Sequence, residues 1–330
     1  MSEKGQLERL KLLIRKEHSL DSLTDELDLS YATIMGMVHK LKEEDNNISI
    51  VKREGIIYIT DFGHLTLNNN VHKLQKDSNK IKLGLVSDTM FGSKYQQLTI
   101  LNDIYSKLYD FGARDFIHLG DISIGIYTGK KAIYNESIFA HGLEEQKDYI
   151  ADNYPYIKGV QTLFLTGEKD LTHMSGKNKI DIGRAIDKER EDLIYLGPNQ
   201  CEIDVNGITI NAQHSISKRD QPLTVSYRAQ EAIRVMRSED KVDFLFQGHN
   251  FQSQSFKMRG IDVTTVPSVI ATTPEMGDKG LSNVVGAWYI EFDIEGGKVE
   301  NIKKISLPYY KTIEDDYLTA KSLKKVRGIK

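Results

Sequence analysis

The sequence predicts an α/β protein in two parts, a layered domain of alternating strands and helices preceded by a small helical unit that ends in a hairpin. Three observations carry this prediction. From Ile81 onward, apolar runs of strand length alternate with helix-length amphipathic stretches, the pattern of stacked strand and helix layers. Five of those runs deliver polar side chains to a turn: 81–92, 116–121 (FIHLGD), 163–170 (LFLTGEKD), 208–214 (ITINAQH) and 244–251 (FLFQGHNF). The first 45 residues instead show helical periodicity.

At 330 residues the chain is long enough for one α/β domain of about 200–250 residues and a second, small one. Charged residues make up 28% and hydrophobic ones 39%, with no apolar run of 18 or more and no amino-terminal signal pattern, so a cytoplasmic protein without a membrane partner is expected. The single Cys201 excludes a disulfide framework within the chain and any cluster of thiolate ligands. A net charge of -3 gives no bulk attraction to nucleic acid, so such binding requires a local patch.

Within residues 1–62, Leu7, Leu10, Leu13 and Ile14 recur at helical spacing and predict a helix ending near Glu17. Ser19 suits the N-cap of a second helix carrying Leu20, Leu23 and Leu27, and Ser30 that of a third running over about 31–43. Ile48 to Val51 and Ile56 to Ile59 then read as two strands around Lys52-Arg53-Glu54-Gly55. Three short helices followed by a hairpin resemble the winged helix-turn-helix family, whose third helix enters the DNA major groove while the wing touches the backbone. The resemblance implies that Ser30, Tyr31, Thr33, Met37 and Lys40 face bases or phosphates, with Lys52 and Arg53 on the adjacent backbone. Against DNA binding, residues 1–62 hold nine basic and twelve acidic side chains; a module used for protein contacts is the alternative. Residues 63–80 are polar with an Asn run and read as a linker, on which His64 and His72 are surface histidines.

In the larger domain, residues 81–310, Ile81, Leu83, Leu85 and Val86 suit a buried strand with Asp88 just past its carboxyl end, where open α/β sheets bind ligands. Further helices are expected over 98–112, 142–154 and 180–193, and strands over 261–266 and 287–292. In order and spacing the five turn-bearing runs resemble the calcineurin-like metallophosphoesterase family, with its Asp-x-His, Gly-Asp, Gly-Asn-His-Asp, lone His and Gly-His-x-His motifs. The resemblance covers roughly residues 81–295 and implies a four-layer β-sandwich flanked by helices, with two metal ions that activate water and clamp an in-line displacement at phosphorus.

The departures from that pattern fall on the ligands. The family's first metal would be held at Asp88, Met90, Asp121 and Phe251, where Phe cannot ligate and a Met thioether suits harder divalent ions poorly. The second would take Asp121, Glu168, His214 and His249, a set of two carboxylates and two imidazoles able to hold one zinc or manganese ion. Asp88, Asp121, Glu168, His214 and His249 are thus the candidate residual ligands. Lys169 stands where the family has a catalytic His, and its ammonium is expected to pair with Asp121, Glu168 or Asp170 in place of a cation. With Met90, Lys169 and Phe251 degenerate, the sequence implies a retained fold without the reaction, and no cofactor beyond that one ion. His118, His141 and His173 read as structural or surface residues, and 311–330 as a charged tail.

The combination predicts a DNA-binding transcriptional regulator, a repressor, acting as a homo-oligomer, a dimer, on double-stranded DNA, with its old active site answering to a small-molecule or protein effector. The alternatives are a one-metal nuclease or phosphodiesterase guided by the winged helix, and an adaptor in a DNA-processing complex.

Overall fold

A computed structural model describes residues 3–14, 18–44, 48–53, 56–61, 71–175, 180–214, 226–236 and 242–319. The chain divides into two units, Met1–Asn70 and Val71–Lys330.

The smaller unit runs α1 (Glu3–Leu13), β1 (His18–Ser19), α2 (Leu20–Leu27), α3 (Tyr31–Glu44), β2 (Ile48–Arg53) and β3 (Ile56–Asp61). Its helix starts are those the capping residues dictate. Ser19 Oγ accepts from the Ser22 N–H at 3.1 Å and Ser30 Oγ from the Thr33 N–H at 3.2 Å, so each satisfies a donor the helix leaves open. Asp28 ends α2 with a left-handed backbone, φ 53°. Leu10, Leu20, Leu23, Ile34, Val38 and Ile59 meet in one core. The strands pair antiparallel in the order β1-β3-β2. Arg53 pairs with Ile56, and the hairpin tip Glu54-Gly55 lies outside the described residues.

The larger unit continues with β4 (His72–Lys73), β5 (Lys80–Val86), α4 (Leu98–Asp110), β6 (Asp115–Leu119), α5 (Gly142–Asn153), β7 (Gln161–Thr166), α6 (Glu168–Leu171), α7 (Ile182–Glu189), β8 (Leu193–Pro198), β9 (Gln200–Val205) and β10 (Ile208–His214). It closes with α8 (Tyr227–Val235), β11 (Phe244–Gly248), β12 (Gln254–Met258), β13 (Ile261–Thr265), α9 (Pro274–Asp278), β14 (Val285–Glu295) and β15 (Lys298–Tyr309). Two six-stranded sheets result, ordered β15-β14-β5-β6-β7-β8 and β12-β13-β11-β10-β9-β4. In the first, β5 to β8 are parallel and β14 joins them antiparallel; in the second, β10, β11 and β13 are parallel.

Strand alternation divides the apolar residues between faces. Leu83, Leu85, Ile117 and Leu165 point to the second sheet and pack with Ile210 and Phe246 in a core between the sheets. Phe116 and Phe164 point the other way, against Leu101 and Ile104 of α4, Ile150 of α5 and Ile186 of α7. Leu245 and Val263 cover the far face of the second sheet with Ala229 and Ile233 of α8. The layers are therefore helix, sheet, sheet, helix, each buried Leu or Ile contributing about 1.5–3 kcal/mol of transfer free energy.

Two boundaries differ from the sequence expectation. Residues 71–80 are not a free linker: β4 pairs with β9, Leu74 is buried, and Lys76 Nζ reaches the Asp115 carboxylate at 2.7 Å. The tail is packed at its start, since Asp316 accepts from the Thr99 N–H at 2.7 Å and Gln97 bonds both the N–H and the carbonyl of Ile313. Residues 320–330 and His64 lie outside the described residues. No helix among the described residues is long and apolar enough to cross a membrane.

Candidate metal centre

Four strands end at one place. Asp88 follows β5, Asp121 follows β6, His214 is the last residue of β10 and His249 follows β11. Parallel pairing within each sheet brings these ends side by side, and the packing of the sheets brings the two pairs together. One potential ligand atom from each of Asp88, Asp121, His214 and His249 lies within 4.8 Å of the others.

The backbone there is unusual. Asp88 (φ 50°), Met90 (φ 45°), Asp121 (φ 53°), His249 (φ 73°) and Phe251 (φ 53°) all adopt left-handed conformations that side chains with a Cβ rarely take. The Asp88 N–H donates to the Gly120 carbonyl and the Met90 N–H to the Asp121 carbonyl, both at 3.0 Å, so the two turns of the first sheet brace one another. Glycine makes room for the ligands: a Cβ at Gly167 would sit 2.3 Å from Asp121 Oδ1 and 2.6 Å from His214 Nε2. At Gly248 it would sit 2.2 Å from Ser87 Oγ.

Each ligand candidate is oriented from behind. Leu119 O accepts from His214 Nδ1 at 2.7 Å, which leaves Nε2 facing the site, 3.4 Å from Asp121 Oδ2 and 3.1 Å from His249 Nδ1. Asp121 Oδ1 accepts from the Lys169 N–H at 2.8 Å. Asp88 Oδ2 accepts from Ser87 Oγ at 2.6 Å and from the His249 N–H at 3.0 Å, while Asp88 Oδ1 is buried and has no hydrogen-bond partner among the described residues. An orphaned carboxylate oxygen, two inward imidazole nitrogens and a second carboxylate fit one divalent ion of the zinc or manganese kind.

The electrostatics of the metal-free site agree. Burial would raise the Asp121 carboxyl, but the charge and hydrogen bond of His214, with His249 and Lys169 adding to them, together outweigh burial and hold it at about 2. Burial would lower His214, but Asp121 and then Asp88 push it up to about 10. Asp88 is pushed up to about 6 by burial, against the pull of His214. Burial and then the His214 charge hold His249 well below its ordinary value, so it is a neutral acceptor. A proton on His214 Nε2 therefore occupies the place a cation would take.

Several sequence expectations are corrected here. Glu168 is exposed at the first position of the four-residue α6 and stands outside the ligand group, which holds the other four candidates, Asp88, Asp121, His214 and His249. Lys169 pairs with none of Asp121, Glu168 and Asp170 through its ammonium, which bonds Glu275 Oε2 at 2.5 Å and Tyr127 Oη at 3.1 Å. Asp170 is instead structural, accepting from the N–H groups of Ile122, Ser123 and Gly167 and from Ser123 Oγ. Met90 and Phe251 lie in an apolar cluster with Ile124, Tyr127, Ile138 and Ile270, which fills the side of the site where the resemblance implied a first metal. His118 and His173 are buried, bonded to Thr89 Oγ1 and Gln146 Oε1, and are pushed down to about 3 and about 4, chiefly by burial. Glu275 was not singled out from the sequence, although Thr273-Pro274 before it is a helix-start signal.

In the smaller unit, Ser30, Tyr31, Thr33, Lys40 and Lys52 are exposed, and Tyr31 donates to the Asp21 carboxylate. Met37, expected on the exposed face of α3, is 9% exposed and belongs to the core. The side chain of Arg53 lies outside the described residues.

No family model matches the chain, and no curated protein does. Solved structures do. A novel archaeal phosphodiesterase matches at 12% identity and TM-score 0.40, over 69% of this chain and 100% of that one. Vps29 from Entamoeba histolytica complexed with zinc matches at 12% identity and TM-score 0.36, over 68% and 99%. A putative 5'-nucleotidase from Staphylococcus aureus matches at 10% identity and TM-score 0.39, over 74% of this chain and 58% of that one. At such values the functional reading rests on the site itself.

That site overturns the expectation of a DNA-binding transcriptional repressor built on a dead catalytic fold. The loss of ligands at Met90 and Phe251 leaves an intact group of four, Asp88, Asp121, His214 and His249, assembled from both sheets.

Proposed function

We propose that the protein is a phosphodiesterase working with a single divalent ion held by Asp88, Asp121, His214 and His249. The convergence of these four side chains, with Asp88 Oδ1 buried and without a hydrogen-bond partner among the described residues, is the observation that carries the reading. The order of the turn-bearing runs, which resembles the calcineurin-like metallophosphoesterases, supports phosphorus as the centre attacked. The chemistry such an ion supplies is polarisation of a phosphoryl oxygen and activation of water at neutral pH.

The chain's own groups do the rest. Leu119 O fixes the His214 tautomer, and Ser87 Oγ with the His249 N–H fixes the Asp88 carboxylate. The apolar cluster around Met90 and Phe251 walls one side against water, which strengthens the field of every charge on the other. For the smaller unit, three helices, the second and third capped by Ser19 and Ser30, followed by an antiparallel hairpin support a winged-helix fold.

The test is hydrolysis of bis(p-nitrophenyl) phosphate by the full chain with added manganese, beside His249→Ala and His214→Ala. Activity in the native chain that falls at least about 100-fold in both variants supports the reading, since each variant removes a ligand. Equal activity in all three proteins would refute it.

A further inference from the structure

Lys169 is held beside the metal centre by two separate anchors. Its main-chain N–H donates to Asp121 Oδ1 at 2.8 Å, which places its Cα against a ligand. Its side chain, 16% exposed, lies over the Tyr127 ring with Nζ 4.3 Å from the centroid and bonds Glu275 and Tyr127 Oη. Tyr127 Oη in turn donates to Glu275 Oε2 at 2.8 Å. An ammonium has three N–H donors, and these contacts use two, so the third has no partner among the described residues.

The charges around Glu275 do not balance. Its other oxygen is 3.4 Å from Lys131 Nζ and 3.3 Å from Lys279 Nζ, so one carboxylate, 8% exposed, gathers three ammonium groups. Three ammonium groups thus face a single carboxylate. The ligand group differs, because its two carboxylates would balance the charge of a bound divalent ion and leave nothing to neutralise a phosphate. Lys169 belongs to both clusters, and its charge reaches far enough to favour the ionised form of Asp121.

Resting on the phosphodiesterase reading, we propose that Lys169 is the phosphate-positioning residue of the site: its spare N–H binds a non-bridging phosphoryl oxygen and supplies the positive charge the metal group lacks. Glu275 and Tyr127 hold the ammonium in place, and Lys131 and Lys279 saturate Glu275 so that it does not capture the ammonium completely. The ligand chemistry recognised is a phosphoryl dianion or a phosphodiester monoanion, to which an ammonium contributes a charge-assisted hydrogen bond.

The experiment is calorimetric titration of inorganic phosphate into the manganese-treated full chain, native, Lys169→Met and Lys169→Arg, with bound manganese counted in each preparation. The expected result is one manganese ion per chain in all three, phosphate affinity about 10- to 100-fold weaker in Lys169→Met, and partial recovery in Lys169→Arg. If Lys169→Met does not fold, Lys169→Gln, which keeps a polar end against Glu275 and removes only the charge, is read in its place. Equal phosphate affinity in native and charge-free variants, or no phosphate binding by a native chain that holds its manganese, overturns the role of Lys169 and leaves the metal reading standing. A native chain that takes up no manganese refutes the metal reading; a charge-dependent loss of phosphate affinity would then still uphold the lysine.

Discussion

His214 Nε2 and His249 Nδ1 lie 3.1 Å apart, in one group with the carboxylates of Asp121 and Asp88, close enough for the two imidazoles to share one proton. That proton belongs to His214, pushed up to about 10, so manganese must displace it at neutral pH. Metal uptake at pH 7.5 is expected to release about one proton per ion. Titrations in buffers of different ionisation enthalpy measure this, and uptake with no proton released would contradict the assigned protonation.

The same residue sets a pH dependence of stability without metal. His214 binds its proton more tightly folded than unfolded, so its contribution is fully present below the ordinary imidazole value and is lost as pH rises through about 10. The urea midpoint of chelator-treated protein is expected to fall between pH 7 and pH 10, and to fall less in His214→Gln, which lacks the titrating group. An equal decline in both proteins would place the cause elsewhere.

Gly167→Ala tests the ligand cradle. Gly167 has an ordinary backbone conformation, so the added methyl strains no dihedral; it meets Asp121 Oδ1 at 2.3 Å and His214 Nε2 at 2.6 Å. Manganese affinity is expected to drop at least about tenfold while far-UV circular dichroism stays native. An unchanged affinity would mean that the ligands are placed otherwise.

Asp170→Ala should damage the fold rather than chemistry alone. It strands the buried N–H groups of Ile122, Ser123 and Gly167, at a cost of about 3 kcal/mol or more by urea denaturation. The single Trp288, buried between the sheets with its indole N–H on Thr265 O, provides the fluorescence signal.

Met37→Ala separates core from surface in the smaller unit. Met37 packs within the core, and truncating it is expected to cost about 2–5 kcal/mol, whereas exposed Lys40→Ala should stay within about 0.5 kcal/mol. Circular dichroism melts of the two variants compare them directly.

What the sequence makes legible follows from how local each cause is. Caps at Ser19 and Ser30 and the strand ends bearing Asp88, Asp121, His214 and His249 depend on neighbouring residues, and all are present. Glu168 misleads because at the start of α6 its side chain is exposed, while the next residue's N–H is the group that reaches Asp121. Met37 misleads because a strict helical face ignores the strand hairpin, with Ile48 and Ile59 adding to the core on α3's flank. Glu275 and Lys169 are 106 positions apart, and no periodicity joins them. Nor does composition show that Met90 and Phe251 take left-handed backbones shared by three of the four ligands, Asp88, Asp121 and His249.

Two of the four ligand candidates belong to each sheet, Asp88 and Asp121 to one, His214 and His249 to the other. An ion bound among them acts as a rivet through the sandwich, a fixed point about which the two layers can no longer shear. Loading the site would then slow amide exchange at the ends of β5, β6, β10 and β11 together, so that the ion is felt as a change in mechanical stiffness as well as in chemistry.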